Sequence, residues 1–213
     1  MTNDPDRRPL SSRDTGWAHA IARFLTTSGL SPNQISIASM VMAALAGIAF
    51  WRAGLADGTP RAVLFIVAVL FCQLRLLCNL FDGMVAIEGD KRSADGAFWN
   101  EFPDRIADLL IFGGAGYGVG EPALGWAGAS FAILTAYTRE LGRACGLPAD
   151  FSGPMAKQHR MATISVAGLL SLFEPLWGGH NQVLTVALWL IVIGAIVTTL
   201  RRAIRIVRAL RVG

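Results

Sequence analysis

Long apolar stretches alternate with short polar breaks along most of this chain. The clearest apolar runs cover 35–51, 62–74 and 183–200, and weaker ones cover 106–119, 123–137 and 161–173. Each weaker run is short because polar residues occupy one of its ends, which is typical of helices that begin or end in a hydrated cavity. The pattern predicts six helices, at 33–53, 60–87, 96–119, 122–145, 157–176 and 182–208.

The composition places these helices in a membrane. Hydrophobic residues make up 53% of the chain and charged residues 16%, with a mean hydropathy of +0.47. A soluble domain carries about a quarter charged residues. A chain of 213 residues has room for six spans of about 20 residues joined by short loops. We therefore predict an all-α, polytopic integral membrane protein with six transmembrane helices.

The residues before the first span divide into two parts. Residues 1–12 are polar and proline-containing, which predicts a disordered arm. The rest of the chain, 13–213, is predicted to form a single domain. Trp17, Ile21, Phe24 and Leu25 recur at helical spacing and predict a short amphipathic helix lying in the membrane interface. A plain packing helix is the alternative. The first thirty residues lack a long apolar core, so we expect no cleavable signal peptide.

Basic residues predict the orientation in the membrane. They are Arg7, Arg8, Arg13 and Arg23 before the first span, Lys91 and Arg92 after the second, Arg143, Lys157 and Arg160 around the fourth connection, and Arg201, Arg202, Arg205, Arg208 and Arg211 at the C-terminal end. The opposite loops carry Arg52 and Arg61. By the positive-inside rule, both termini and the 79–104 segment face the cytoplasm. The C-terminal arginines fit anionic headgroups, and we expect no nucleic-acid partner.

Polar side chains cluster where the second predicted span ends and the third begins. Asn79 and Asp82 are three residues apart, so they share one helix face. Gly96, Asn100 and Asp104 are each four apart and form one stripe on the next helix. Ionisable groups at the ends of membrane helices are costly and usually mark a site. The spacing favours two helices that face each other across one pocket; polar helix ends that satisfy each other are the alternative.

The chemistry of this cluster indicates a hard cation and phosphate. Its carboxylate and amide oxygens suit Mg²⁺ or Mn²⁺, and no histidine or cysteine belongs to it. Gly83 and Ala86 have almost no side chain, so a helix or ligand can approach the backbone closely. Gly96 falls where its helix begins, and helix N-termini favour phosphate groups.

These residues resemble the signature of the CDP-alcohol phosphotransferase family, D-x2-D-G-x2-A-R-x8-G-x3-D-x3-D. Five of its eight fixed positions are matched in register, by Asp82, Gly83, Ala86, Gly96 and Asp104. Three positions depart: Asn79 and Asn100 replace aspartates, and Ile87 replaces the arginine. Asn33 after Pro32, and the stretch 153–161, are also similar to family members. We interpret the chain as a variant subgroup, because both glycines and the last aspartate are retained.

The resemblance implies a function and assigns roles. Asp82, Asn79, Asn100 and Asp104 are the expected ligands of one or two Mg²⁺ or Mn²⁺ ions, and Asp104 is the expected base. Gly83, Ala86, Gly96 and Asn33 are expected at the diphosphate of a CDP-linked lipid such as CDP-diacylglycerol. The acceptor alcohol attacks the β-phosphate, and CMP leaves. A homodimer in a bacterial inner membrane, with the lipid bilayer as partner, is expected by the same resemblance.

A second basic cluster is a candidate for binding the acceptor. Arg139 and Arg143 are four apart, and Lys157 and Arg160 are three apart, so together they fit a phosphorylated alcohol such as glycerol 3-phosphate or inositol phosphate. Ordinary loop charge, or a salt bridge to Glu140, is the alternative. Two other functions stay open: an inactive member that binds lipid or nucleotide as a regulator, and a small transporter.

Overall fold

The computed structural model describes residues 15–89 and 94–212. Within these residues the chain forms seven α-helices and one 3₁₀ segment, with no strand. The helices are α1 (Gly16–Thr27), α2 (Pro32–Gly54), α3 (Gly58–Glu88), α4 (Gly96–Gly118), α5 (Pro122–Ala144), α6 (Lys157–Leu170) and α7 (Gln182–Val212), and the 3₁₀ segment is Ser171–Trp177. The predicted disordered arm at 1–12, together with Arg13, Lys91 and Arg92, lies outside the described residues.

Five of the six predicted helices correspond to one α-helix each, and the fifth does not. The stretch predicted as one helix over 157–176 is divided into α6 and the 3₁₀ segment. Pro175 lies inside that segment, and proline removes a backbone donor and clashes with the preceding turn of an α-helix. Gly178 then adopts a left-handed conformation with φ of 69°, which ends the segment.

Helix α2 forms the centre against which α3 and α4 pack. Its start is fixed by a capping box, in which Ser31 accepts from Gln34 N and the Gln34 side chain accepts from Ser31 N. A Cβ added to Gly114 of α4 would lie 2.2 Å from the carbonyl oxygen of Gly47. The two backbones are therefore in direct contact, as small residues allow between membrane helices. Near its start, α2 also contacts the end of α3, through Ser36 and Asp82, and the residue before α4, through Asn33 and Asp95.

Within residues 15–89 and 94–212, three helices are long and apolar enough to cross a membrane: Pro32–Gly54, Gly58–Glu88 and the Gln182–Arg211 part of α7. Large apolar side chains on their outer faces are exposed, including Ile48, Ile66 and Trp189. Such an outer surface suits lipid. The chain is therefore an all-helical membrane protein.

Helix α1 packs on the bundle through its small residues. Ala18 and Ala22 are buried against a cluster of α2 and α3 side chains that includes Phe81. The larger residues face outward, with Trp17 49% exposed and Phe24 68% exposed. The helix lies where the sequence predicted one, and its position in the membrane interface stays a prediction.

Candidate active site

Asp104 is the centre of the polar cluster between α3 and α4. Its Oδ1 accepts hydrogen bonds from Arg75 Nη2 at 2.8 Å and from Asn79 Nδ2 at 2.6 Å. Its Oδ2 is bound by Lys157 Nζ, from the first residue of α6, and lies 3.6 Å from Arg105 Nη2. Asp104 is only 5% exposed. Helices α3, α4 and α6 thus meet at one carboxylate.

Asp82 lies on the same end of α3 but faces α2. Its Oδ2 accepts from Ser36 Oγ at 2.9 Å, and its Oδ1 accepts from Gly83 N at 2.5 Å. The side chain is buried. Among the described residues, both of its hydrogen-bond partners are neutral donors, so this buried carboxylate has no ion-pair partner. A buried anion in that state is costly unless a cation joins it.

A cavity of about 380 Å³ opens beside Asp104. Asn79, Gly83 and Asn100 line it, so it contacts both helices of the predicted pocket. Among the described residues, its lining contains two carboxylates, Glu101 and Asp104. The lining also contains five cationic side chains, which are Arg105, Arg139, Lys157, Arg160 and Arg202. The excess of positive charge makes the cavity suitable for an anionic ligand.

The four residues predicted to bind an acceptor phosphate have different surroundings. Lys157 and Arg139 line the cavity, and Arg139 also pairs with Glu101 and, at 2.9 Å, with Glu140. Arg160 lines it as well, but its guanidinium is buried. Arg143 is not part of the lining: its side chain is 41% exposed and donates to Glu140 at 3.1 Å. The pairing with Glu140 considered from the sequence is thus present for both arginines of α5.

Arg160 joins α6 to α4 and α5. Its Nη2 donates to Asp108 Oδ2 at 2.8 Å, and its Nη1 donates to Thr135 Oγ1 at 3.1 Å and to Met155 O at 3.0 Å. Both members of the ion pair are almost fully buried. These contacts fix the wall of the cavity on which Lys157 is mounted.

The residues predicted to contact a diphosphate lie around the mouth of α3 and α4. Gly83 lines the cavity, Gly96 is the first residue of α4, and Ala86 is half-buried on α3. Asn33 of α2 donates to Asp95 Oδ2 at 3.3 Å, directly before α4. The structure therefore places all four near the junction of α2, α3 and α4.

Sequence reasoning missed two cationic residues of the site. Arg75 is fully buried on α3, one turn before Asn79. A single arginine at the end of an apolar run, four residues before a polar signature position, was the available signal. Arg202 donates to Thr135 O at 2.5 Å and lines the cavity; the sequence suggested only a headgroup contact for it.

The polar residues at this end of α3 and α4 include oxygen donors of the kind that a divalent ion takes, but Asp82 is not part of the cavity lining that contains Asn79, Asn100 and Asp104. Asp82 supplies a buried carboxylate with neutral partners, and Asn79 and Asn100 can supply amide oxygens, which suits Mg²⁺ or Mn²⁺. Asp104, by contrast, already accepts from three side chains. The described residues contain no group of three His, Cys, Asp or Glu side chains arranged to hold a metal.

Comparison with known proteins finds relatives that carry out one kind of chemistry. No family model matches the chain. It is 28% identical to the phosphatidylinositol phosphate synthase of Streptomyces avermitilis, over 88% of this chain and 76% of that protein. It is 34% identical to a bifunctional IPC transferase and DIPP synthase of Rubrobacter xylanophilus, over 68% of this chain and 33% of that protein. These relatives are members of the CDP-alcohol phosphotransferase family. This confirms the resemblance inferred from the signature, and the family is one of enzymes.

Solved structures show the same fold. The phosphatidylinositol phosphate synthase of Mycobacterium tuberculosis with CDP-DAG bound matches with a TM-score of 0.74 at 19% identity, over 89% of this chain and 92% of that one. A second structure of that synthase, in complex with manganese and citrate, matches with the same TM-score. The helices described above are therefore arranged as in the fold of that synthase.

Proposed function

We propose that this chain transfers a phosphatidyl-type group from a CDP-activated lipid, such as CDP-diacylglycerol, to an alcohol, releasing CMP. The observation that carries the proposal is the cavity between α3, α4 and α6, where Asp104 and the amides of Asn79 and Asn100 face a group of cationic side chains. Family membership supports the same reaction, and relatives are named as phosphatidylinositol phosphate synthases.

The acceptor that suits the cavity is a phosphorylated alcohol. Five cationic residues against two carboxylates leave a surplus of positive charge among the described lining residues. Lys157, Arg139 and Arg202 reach the cavity from three different helices, α6, α5 and α7. Arginine and lysine placed in this way are common phosphate binders. Inositol phosphate is the first candidate, and glycerol 3-phosphate is the second.

Asp104 is the proposed base. The acceptor phosphate draws Lys157 away from Asp104 Oδ2, and this oxygen then takes the proton of the acceptor hydroxyl. The hydroxyl oxygen forms a bond to the β-phosphorus, and the bond from that phosphorus to the bridging oxygen breaks, so CMP leaves with the electron pair. One divalent ion at Asp82, Asn79 and Asn100 would supply positive charge for the diphosphate. Arg160 and Asp108 hold the α6 wall in place during the exchange.

The membrane arrangement follows from the same proposal. The six spans are α2, α3, α4, α5, α6 together with the 3₁₀ segment, and α7. Helix α1 lies in the interface, and the end of the bundle that holds the cavity faces the cytoplasm with both termini. The basic residues on that side support this orientation. A homodimer in a bacterial inner membrane is proposed from the family resemblance.

A CMP-release assay tests the proposal. The purified chain in lipid micelles receives CDP-diacylglycerol with Mg²⁺ or Mn²⁺, and four acceptors: inositol phosphate, glycerol 3-phosphate, inositol and glycerol. We expect CMP release with a phosphorylated acceptor and at least tenfold less with its unphosphorylated counterpart. Binding of CDP-diacylglycerol without CMP release for any acceptor would favour the regulator, and neither binding nor release would remove the proposal.

A further inference from the structure

Arg75 is a buried charge whose hydrogen bonding is incomplete. Its side chain is fully buried on α3, and its one hydrogen-bond acceptor among the described residues is Asp104 Oδ1, bound through Nη2. Its Nε and Nη1 are also buried and have no hydrogen-bond partner in the part of the chain that the structure describes. A guanidinium stays charged in proteins, and leaving it under-satisfied in a membrane helix is costly. Such a group is retained where its charge is used.

The partner of Arg75 is also the partner of Lys157. The two cations approach Asp104 from different helices, one at each carboxylate oxygen. Asn79 completes the shell by donating its amide hydrogen to Oδ1. The opposite orientation of that amide would set two oxygens against each other, so the assignment follows from the chemistry. Few acceptor positions of Asp104 then remain for a metal ion.

The charges of this cluster balance with one divalent ion. Asp82 and Asp104 together supply two negative charges, and Arg75 and Lys157 supply two positive charges, so the four groups are neutral. Arg105, which also lies 3.6 Å from Asp104, is matched by Glu101 at 3.6 Å. One divalent ion then matches the two negative charges of a diphosphate diester. Before the phosphorylated acceptor binds, a second ion would leave an uncompensated double positive charge in a site of low polarity, which is strongly unfavourable.

We propose that Arg75, with Lys157, occupies the place of one divalent ion, so that this chain binds at most one ion, at Asp82. Arg75 is a positioning residue: it holds Asp104 and supplies fixed charge without touching the cavity. This inference deepens the proposed function. It rests on that function only for the role of the ion in the reaction, and not for the number of ions bound. The number of ions bound is a property of the protein that can be measured without turnover.

Mn²⁺ titration of the purified full-length chain, followed by the loss of the free-ion paramagnetic resonance signal, tests the inference. We expect wild type to bind no more than one Mn²⁺. In the background Asn79→Asp with Asn100→Asp, adding Arg75→Met should create a second site, or tighten it at least tenfold. Arg75→Lys in that background retains the positive charge, so it should neither create nor tighten a second site. Two ions on wild type, or no effect of Arg75→Met, would overturn the inference.

A matched control is available on the same helix. Arg61 is also a buried arginine of α3, at the other end, and Arg61→Met in the same background should leave the Mn²⁺ count unchanged. If Arg75→Met does not yield folded protein, Lys157→Met carries the same expectation, because that side chain is less buried. If wild type binds one Mn²⁺ but releases no CMP, the proposed function is rejected, whereas the inference that the chain binds at most one ion is supported.

Discussion

Helix α3 carries a buried arginine near each end, and the two are bonded very differently. Arg61 and Arg75 are fourteen residues apart, which is about 21 Å along a helix. Arg61 pairs with Glu174 and donates to Asn181 Oδ1 at 2.9 Å and to Ala53 O at 3.3 Å, and its guanidinium lies 4.9 Å from the centre of the Phe65 ring. Arg75 has one hydrogen-bonded side-chain partner among the described residues, and two of its nitrogens have none.

The network around Arg61 joins helix ends. Glu174 accepts from the backbone nitrogens of Asn181 and Val183, at 2.9 and 2.7 Å, which fixes the start of α7. Asn181 donates to the carbonyl oxygens of Gly54 and Gly118, the last residues of α2 and α4. Nearly every polar atom is used, as expected where buried charge serves stability.

The comparison separates two uses of buried charge. At the Arg61 end the charges are enclosed and satisfied by the protein itself. At the Arg75 end the charges converge on one carboxylate beside a cavity. Some buried polar atoms there have no hydrogen-bond partner among the described residues. The rule that every buried polar atom has a hydrogen-bond partner is expected to fail mainly at functional sites. Substitutions at the two ends should therefore alter different quantities.

The largest expected effect is the loss of turnover in Asp104→Asn. The amide keeps an oxygen for Arg75 but cannot accept the proton of the acceptor hydroxyl. We expect CMP release to fall by about 10²–10⁴-fold, the usual contribution of a positioned base. Initial rates with CDP-diacylglycerol and a phosphorylated acceptor measure it.

Binding of CDP-diacylglycerol should persist in Asp104→Asn, which separates lost chemistry from lost folding. Asp57→Asn, an exposed carboxylate beside the start of α3, is the control and should keep the wild-type rate. A rate for Asp104→Asn within threefold of wild type would reject the base assignment.

The second effect belongs to the other end and concerns stability. Glu174→Gln leaves Arg61 buried without its anionic partner, and breaking a buried ion pair costs about 3–5 kcal/mol. We expect the free energy of unfolding in mixed micelles to fall by that amount, while the rate per folded molecule stays unchanged. Glu121→Gln, an exposed carboxylate at the start of α5, is the matched control and should unfold like wild type.

The third effect lies between the two ends, where α2 and α4 touch. A Cβ on Gly114 would lie 2.2 Å from Gly47 O, whereas a Cβ on neighbouring Gly113 would meet its nearest atom at 3.8 Å. Gly114→Ala should lower the free energy of unfolding by about 1–3 kcal/mol, the usual cost of overpacking. Gly113→Ala should be neutral or slightly stabilising, because alanine favours helix more than glycine does. Equal melting temperatures for the two variants would contradict the close backbone contact.

Helices whose position depends on their own apolar run were predicted from the sequence, whereas a break that depends on contacts with another helix was not. The apolar runs fixed the positions of α2, α3 and α7 because a bilayer demands long apolar helices. The division after α6 was missed, since it depends on Glu174 bonding the start of α7 as well as on Pro175.

The site was predicted only in outline. Asn79, Asn100 and Asp104 meet at one cavity, as their helical spacing indicates. The roles of Arg75, Arg61 and Glu174 could not be predicted, because they depend on which helices are neighbours rather than on spacing within one helix. Asp82 turns toward Ser36 for the same reason: α2 supplies a donor that spacing along α3 does not reveal.

The smallest expected effect concerns a third kind of pair, which is exposed and whose carboxylate lies in a loop. Asp150 accepts from Ser152 N and from Arg205 Nη1, both at 2.9 Å, in the loop between α5 and α6. Partial burial acts to raise the pKa of Asp150, but these hydrogen bonds outweigh it and hold that pKa below its usual value. Its ionised form therefore stabilises the folded state above the unfolded pKa of about 3.9.

This stabilisation is lost as the pH falls through the lowered pKa of the folded state. Wild type should melt slightly higher than Asp150→Asn at neutral pH, and the difference should shrink as the pH falls below about 4. Melting temperatures in micelles over that range measure the change. Since an exposed ion pair contributes little, the difference should be far smaller than that of Glu174→Gln. A difference as large as that of Glu174→Gln, or one that is constant with pH, would mean that this loop carries buried charge like the two ends of α3.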